Sequence, residues 1–186
     1  ASVSDSDVGL VVFNHGEIVG VKKTNGLIAL EKNGDYYFNR NDDTLYVYYD
    51  GGNPGAKFND IECGLNKTAF AMYRAPGAVL DNLTIKYGGR HGVNIANSDN
   101  NKITNCEFGF IGGARQDASD NYSVRLGNAI QMWNTVDGHV VDNNWIYQIY
   151  DTGITFQGDY EEISNNDKPF GDKPEIRKLN VYRNIS

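Results

Sequence analysis

The tetrapeptide Tyr150-Asp151-Thr152-Gly153 runs directly into the alternating segment Ile154 to Gln157, so the Asp151 carboxylate is held in a short turn at the start of a strand. A carboxylate fixed in this way can act as acid or base in glycoside hydrolysis. That reaction needs a second carboxyl group, roughly 5 Å away for retention or about 6.5–9.5 Å for inversion. Asp117, Asp120, Asp159, Glu161 and Glu162 lie in segments able to reach it, and the sequence does not choose among them. Asp also caps turns by accepting backbone N–H groups, and that reading of Asp151 stands beside the catalytic one. The other chemistry-bearing residues form a sugar-like set: Trp133 and Tyr150 for a pyranose face, and Asn94, Gln131, Thr155 and Gln157 for hydroxyls. Arg90 and Arg125 suit substrate holding, because arginine stays protonated. His91 is either an acid–base group or a hydrogen-bonded turn histidine. His15 and His139 lie far from this set and receive no role.

Repeated segments are the elements that must position these residues. Ala78 to Ala96, Asn101 onward (resuming at Gly127 to Trp133) and His139 to Gln157 each contain a short strand, an Asn, a second strand, a turn rich in Gly or Tyr, and a third strand. A fourth copy begins near Lys178. Self-similarity at this period is the signature of stacked coils. The register puts Asn82, Asn105, Asn143 and Asn184 at one position, where Asn tolerates a left-handed turn and its amide can both donate and accept. It also predicts two inward apolar columns, Ile85–Phe108–Ile146 and Val93–Ile130–Ile154, and places His91 level with Asn128 and Thr152. Asn82 to Asn105 is a bare coil. The longer intervals to Asn143 and Asn184 require insertions at Ala114 to Leu126 and at about Gly158 to Glu175, which solenoids place outside the core. Residues 1–55 depart from the repeat. Tyr36 to Tyr49 reads as a β-hairpin turning at Asn41, Asp42 and Asp43, and Val8 to Val21 as two further short strands. Residues 58–73 read as a poorly preserved first coil.

Composition agrees with an all-β chain: 21 Gly, 12 Tyr and 8 Phe among 186 residues favour short strands and tight turns. A net charge of −7 argues against nucleic acid and anionic membranes as partners, which require clustered Lys and Arg. No apolar run is long enough to span a membrane, and the N-terminus is not a signal peptide; a mature secreted chain has the same appearance. Cys63 and Cys106 match no metal-ligand spacing and are read either as buried free thiols or as a disulfide.

The motifs YGGRHG, FIGG, GNAIQMW and IYDTGITFQG, set in these repeats, resemble those of right-handed parallel β-helix proteins of the pectate-lyase-like superfamily, in particular bacterial secreted β-helical glycoside hydrolases. The likeness covers about residues 55–186, extending to the YYFNRNDDTLYVYYDGGNPG segment. It implies a solenoid with three short strands per coil over residues 56–186 and a β-rich N-terminal elaboration over 1–55. It further implies a substrate groove along the strand after the Gly-rich turn. That groove carries Asn94, Gln131 and Thr155 on adjacent coils, with Trp133 and Gln157 two residues along. Arg90, His91, Tyr150 and Asp151 flank it, beside the inserted loop bearing Asp117, Asp120 and Arg125. The expected function is a carbohydrate-active enzyme, a glycoside hydrolase acting on polysaccharide without cofactor. The alternatives are a polysaccharide lyase, which would bring Ca²⁺ into play, and a non-catalytic glycan-binding or structural β-helix. The superfamily hosts all of these chemistries, so fold alone does not decide. Because the fourth copy stops after its Asn, further coils or a second chain are expected to cover the C-terminal edge.

Overall fold

The computed structural model describes residues 6–116, 124–134 and 138–157, and the backbone of 180–182. The chain is all-β. Its N-terminal strands are β1 (Val8–Phe13), β2 (Ile18–Val19), β3 (Val21–Lys22), β4 (Asp35–Asn39), β5 (Thr44–Val47) and β6 (Ile61–Leu65). The strands β7 (Phe70–Tyr73), β8 (Val79–Asp81), β9 (Thr84–Lys86), β10 (Val93–Ala96), β11 (Lys102–Thr104) and β12 (Glu107–Ile111) follow. After a short pair, β13 (Ala114–Arg115) and β14 (Arg125–Leu126), come β15 (Ile130–Trp133), β16 (Val140–Asp142), β17 (Trp145–Ile149), β18 (Ile154–Gln157) and β19 (Asn180–Tyr182).

From β7 onward every strand except β13 and β14 joins one of three parallel sheets, ordered β7-β10-β15-β18, β8-β11-β16-β19 and β9-β12-β17. The chain visits the sheets in rotation, and each return adds one strand beside its predecessor. The cause lies in the alternation of side chains. Val93 pairs with Ile130 and Ile130 with Ile154, while Phe108 pairs with both Ile85 and Ile146, so like residues stack. Val93, Ile130 and Phe108 are fully buried, and Ile85 and Ile146 nearly so. With Met72, Ile95, Met132, Ile103, Val141 and Ile111 they form one core between the sheets. A one-residue slip would turn each set outward, which fixes the register strongly.

The corner between the second and third sheets is an Asn at each level. Asn82, Asn105 and Asn143 have φ of 55°, 55° and 56°, and the Asn143 Nδ2 donates to Asn105 Oδ1 at 2.6 Å. Asn105 in turn donates to Asp81 Oδ1 at 2.7 Å, not to Asn82. The expected fourth rung needs correction: Tyr182 pairs with Asp142, one residue away from the register an Asn184 ladder requires. Asn184 itself lies outside the described residues. The Ala114 to Leu126 insertion leaves and re-enters through the antiparallel β13–β14 pair.

The Tyr-rich segment is a hairpin as its sequence indicates, β4 pairing antiparallel with β5 from Tyr36↔Val47 to Asn39↔Thr44. Strand β1 pairs antiparallel with β2 and with β6, and a second core gathers Val8, Val11, Phe13, Tyr36, Phe38 and Leu45. Glycine permits the contact between these N-terminal strands and the turns of the parallel sheets. A Cβ on Gly89 would lie 2.2 Å from Leu65 O, and one on Gly9 would lie 2.4 Å from both Ala114 N and Gly89 O. The Gly-rich turns are therefore places where backbones meet directly. Cys63 is an exposed free thiol and Cys106 a buried one, so neither a disulfide nor a pair of buried thiols is found.

Candidate functional site

On the β7-β10-β15-β18 sheet, the residues between the inward columns face away from the core. Asn94 pairs with Gln131 and Gln131 with Thr155, while Ala96, Trp133 and Gln157 align two positions on. The expected column of polar groups is present on adjacent strands. Its accessibility varies. Gln157 is exposed, and Asn94, Trp133 and Thr155 are half-buried. Gln131 is only 6% exposed, its Oε1 accepting from Asn128 Nδ2 at 2.8 Å. The Asn94 Oδ1 is shut off from solvent and accepts no hydrogen bond.

The turn bearing Asp151 is fixed by its backbone, with Asp151 N–H donating to Gly127 O at 3.1 Å and Tyr150 N–H to Ile111 O at 2.9 Å. The Asp151 carboxylate is exposed and accepts from Thr152 Oγ1 at 3.3 Å. Arg125 lies against this turn. Its guanidinium sits 4.1 Å from the Tyr150 ring centroid, and its Nε donates to Gly113 O at 2.7 Å. One face of Tyr150 is thereby covered by a cation. Arg90 is half-buried, with an Nε that donates to no partner. Asp117 and Asp120, the expected second carboxyl groups, lie outside the described residues, as do Asp159, Glu161 and Glu162.

Of the two readings of His91, its contacts match the hydrogen-bonded turn histidine. It stands level with Asn128 and Thr152, but on the inside of the stack, not on the groove face. It is 2% exposed, its Nδ1 accepts the Asn128 N–H at 3.1 Å, and the Asn128 Oδ1 accepts the Thr152 N–H at 3.2 Å. Burial, and secondarily the neighbouring Arg90, pushes its pKa down to about 4, so the ring is neutral and serves as a backbone acceptor. His139 has the same role at a neighbouring corner, fully buried and accepting the Asn101 N–H at 3.2 Å.

A second surface escaped the sequence reading. Trp145 and Tyr147 alternate with buried Ile146 and so point outward from β17. Trp145 is 53% exposed, and its ring centroid lies 4.7 Å from that of Tyr147, which continues to Phe110 and Tyr87 as a row of rings. Glu107, paired with Trp145 across the strands, accepts from Tyr147 Oη at 2.7 Å and Lys86 Nζ at 2.6 Å. These bonds hold the Glu107 carboxyl below its ordinary range and Lys86 above its own. An open groove beside Trp145 is lined by Asn82, Asn105 and Asn143. The inward placement of Ile146 was the signal that could have revealed it.

Comparison of the chain with protein-family models, curated proteins and solved structures finds no match.

Proposed function

We propose that the three parallel sheets wind as a right-handed parallel β-helix whose β7-β10-β15-β18 face binds a neutral polysaccharide, and that the protein is a carbohydrate-active enzyme of the glycoside hydrolase type. The rotation of the chain through the three sheets supports the winding. The observation that carries the binding reading is the alignment, on adjacent strands, of Asn94, Gln131 and Thr155 beside Trp133 and Gln157. Identical spacing along a stack suits a polymer of repeating sugars, which offers hydroxyls and an apolar ring face at regular intervals. Asp151 stands in the turn flanking this column and supplies one carboxyl group, with Arg125 and Tyr150 at its side. Asp117 or Asp120 is proposed as the other. Secretion and the resemblance to bacterial glycan-degrading proteins belong to the same reading.

A second reading is favoured by the exposure of Trp145: the β9-β12-β17 face would be the glycan platform, with the Asn corner supplying amides. Titration of soluble polysaccharides against Trp133→Ala and Trp145→Ala separates the two. The proposal expects Trp133→Ala to lose most of the affinity, by about 1–3 kcal/mol for a lost aromatic platform, and Trp145→Ala to retain it. The reverse pattern would transfer the site to β9-β12-β17. For turnover, Asp151→Asn is expected to abolish release of reducing sugar on a hydrolysed substrate; unchanged turnover removes Asp151 from the chemistry. Products absorbing in the ultraviolet would indicate elimination in place of hydrolysis.

A further inference from the structure

His15, Asp60 and Glu62 come together at the start of β6, outside the β7-β10-β15-β18 sheet. The His15 Nδ1 lies 3.4 Å from Asp60 Oδ2 and 3.9 Å from Glu62 Oε2, and the three ligand atoms all lie within 4.8 Å of one another. Asp60 and Glu62 flank Ile61 at the start of β6, so alternation puts both on one face. The two carboxylate oxygens have essentially no solvent contact, and neither accepts a hydrogen bond. Oxygens of like charge aimed at one point repel each other, and a cation between them relieves that cost; the side chains that carry them are 30% and 36% exposed. Glu17 is engaged by Asn14 Nδ2 at 2.8 Å, and Lys86 is committed to Glu107.

The turn presenting His15 is held from outside the cluster. Asn14 N–H donates to Asp60 O at 2.9 Å, Asn59 N–H donates to Asn14 Oδ1 at 3.0 Å, and Tyr87 Oη donates to His15 O at 2.8 Å. The ligand atoms are thus assembled before any ion arrives, and the His15 side chain, 76% exposed, leaves one side open to solvent.

We propose that His15, Asp60 and Glu62 bind a divalent transition-metal ion of the zinc class, with water completing the coordination. Ligand atoms about 2.0–2.1 Å from a tetrahedral ion stand roughly 3.4 Å apart; the two carboxylate oxygens stand 3.4 Å and 3.9 Å from His15 Nδ1, and all three atoms lie within 4.8 Å of one another, so side-chain rotation by about an ångström or less brings them onto one ion. The imidazole selects the metal. Ca²⁺ and Mg²⁺ take oxygen ligands, whereas zinc accepts a mixed nitrogen and oxygen set. Bound there, the ion clamps the Asn14–Gly16 turn, which follows β1, to the start of β6.

The test is calorimetric titration of the 186-residue chain with Zn²⁺ alone, with thermal melts recorded alongside. One zinc per chain is expected. The melting temperature should rise by about 5–10 °C at a zinc concentration roughly 100 times Kd, while Ca²⁺ at the same concentration gives neither effect. His15→Ala and Glu62→Gln should each weaken zinc binding at least ~10-fold and lose the thermal gain, with circular dichroism unchanged in the absence of metal. Cys63→Ser should bind as the unaltered chain does, which separates this site from the exposed thiol next to Glu62. The proposal is overturned if the chain takes up no zinc, if both His15→Ala and Glu62→Gln bind it undiminished, or if Ca²⁺ binds equally well.

Discussion

His91 shows how a ring can be located by sequence while two readings of it stay open. Alignment of the repeats put it level with Asn128 and Thr152, and the hydrogen bonds joining the three levels agree. The direction of its side chain was not legible, because strand alternation lapses in the Gly88–Gly92 turn and neither period fixes inside from outside there. Its burial gives a testable dependence on acid. The folded-state pKa of about 4 lies below the ordinary histidine value near 6.5, so between these pH values the unfolded chain holds the extra proton. Stability from this group is present above about pH 6.5 and falls as pH drops toward 4, by up to about 3 kcal/mol. Urea unfolding of His91→Asn should show a flatter slope over this window, since the Asn at position 128 already accepts the same kind of backbone bond one level on. His91→Leu should instead lose about 1–3 kcal/mol at neutral pH, leaving the Asn128 N–H buried without an acceptor. An unchanged pH slope in His91→Asn would mean that another group carries the acid sensitivity.

Among the elements, the parallel strands were the most legible, because the apolar columns and the Asn corner repeat together. Ile85, Phe108 and Ile146 share a column, as do Val93, Ile130 and Ile154. The register failed at β19, where the preceding insertion breaks the count and a short apolar pattern fits two alignments one residue apart. The outward face of β17 was implied by Ile146 but not drawn from it. The Asn corner makes a quantitative prediction. Asn105→Ala places a β-carbon residue in the left-handed region and removes bonds to both Asp81 and Asn143, which should cost about 1–3 kcal/mol. Asn105→Gly removes the same bonds without the backbone strain and should unfold at an intermediate denaturant concentration. Equal midpoints for the two variants would show that backbone conformation contributes nothing at this corner.

At the scale of the whole molecule, a buried ion pair between Lys22 and Asp7 ties the N-terminal strands to β13, a link that no sequence pattern announces because Asp7 and Arg115 are 108 residues apart. Lys22 Nζ lies 2.5 Å from Asp7 Oδ2 and also donates to Val8 O at 2.6 Å, while the Arg115 N–H donates to the same Asp7 oxygen at 2.6 Å. Both side chains are almost fully enclosed, 4% and 2% exposed. Burial pushes the Lys22 pKa down to about 8 in spite of Asp7. Removing one partner strands a charge, so Asp7→Asn or Lys22→Met should each cost about 3–5 kcal/mol, and the double variant much less than their sum. Additive losses in a double-mutant cycle would show that the pair is not coupled.

The central claim is that polysaccharide lies along the β7-β10-β15-β18 face, across four parallel strands. Three inter-strand steps of roughly 4.8 Å make the described face about 14 Å long. The most direct measurement is the affinity of oligosaccharides of increasing length, cut from one polysaccharide that binds. The account predicts that affinity climbs until the oligosaccharide spans the face and then levels off, and that the climb is lost in Trp133→Ala. Affinity independent of length, or a length dependence that Trp133→Ala leaves intact, would contradict it.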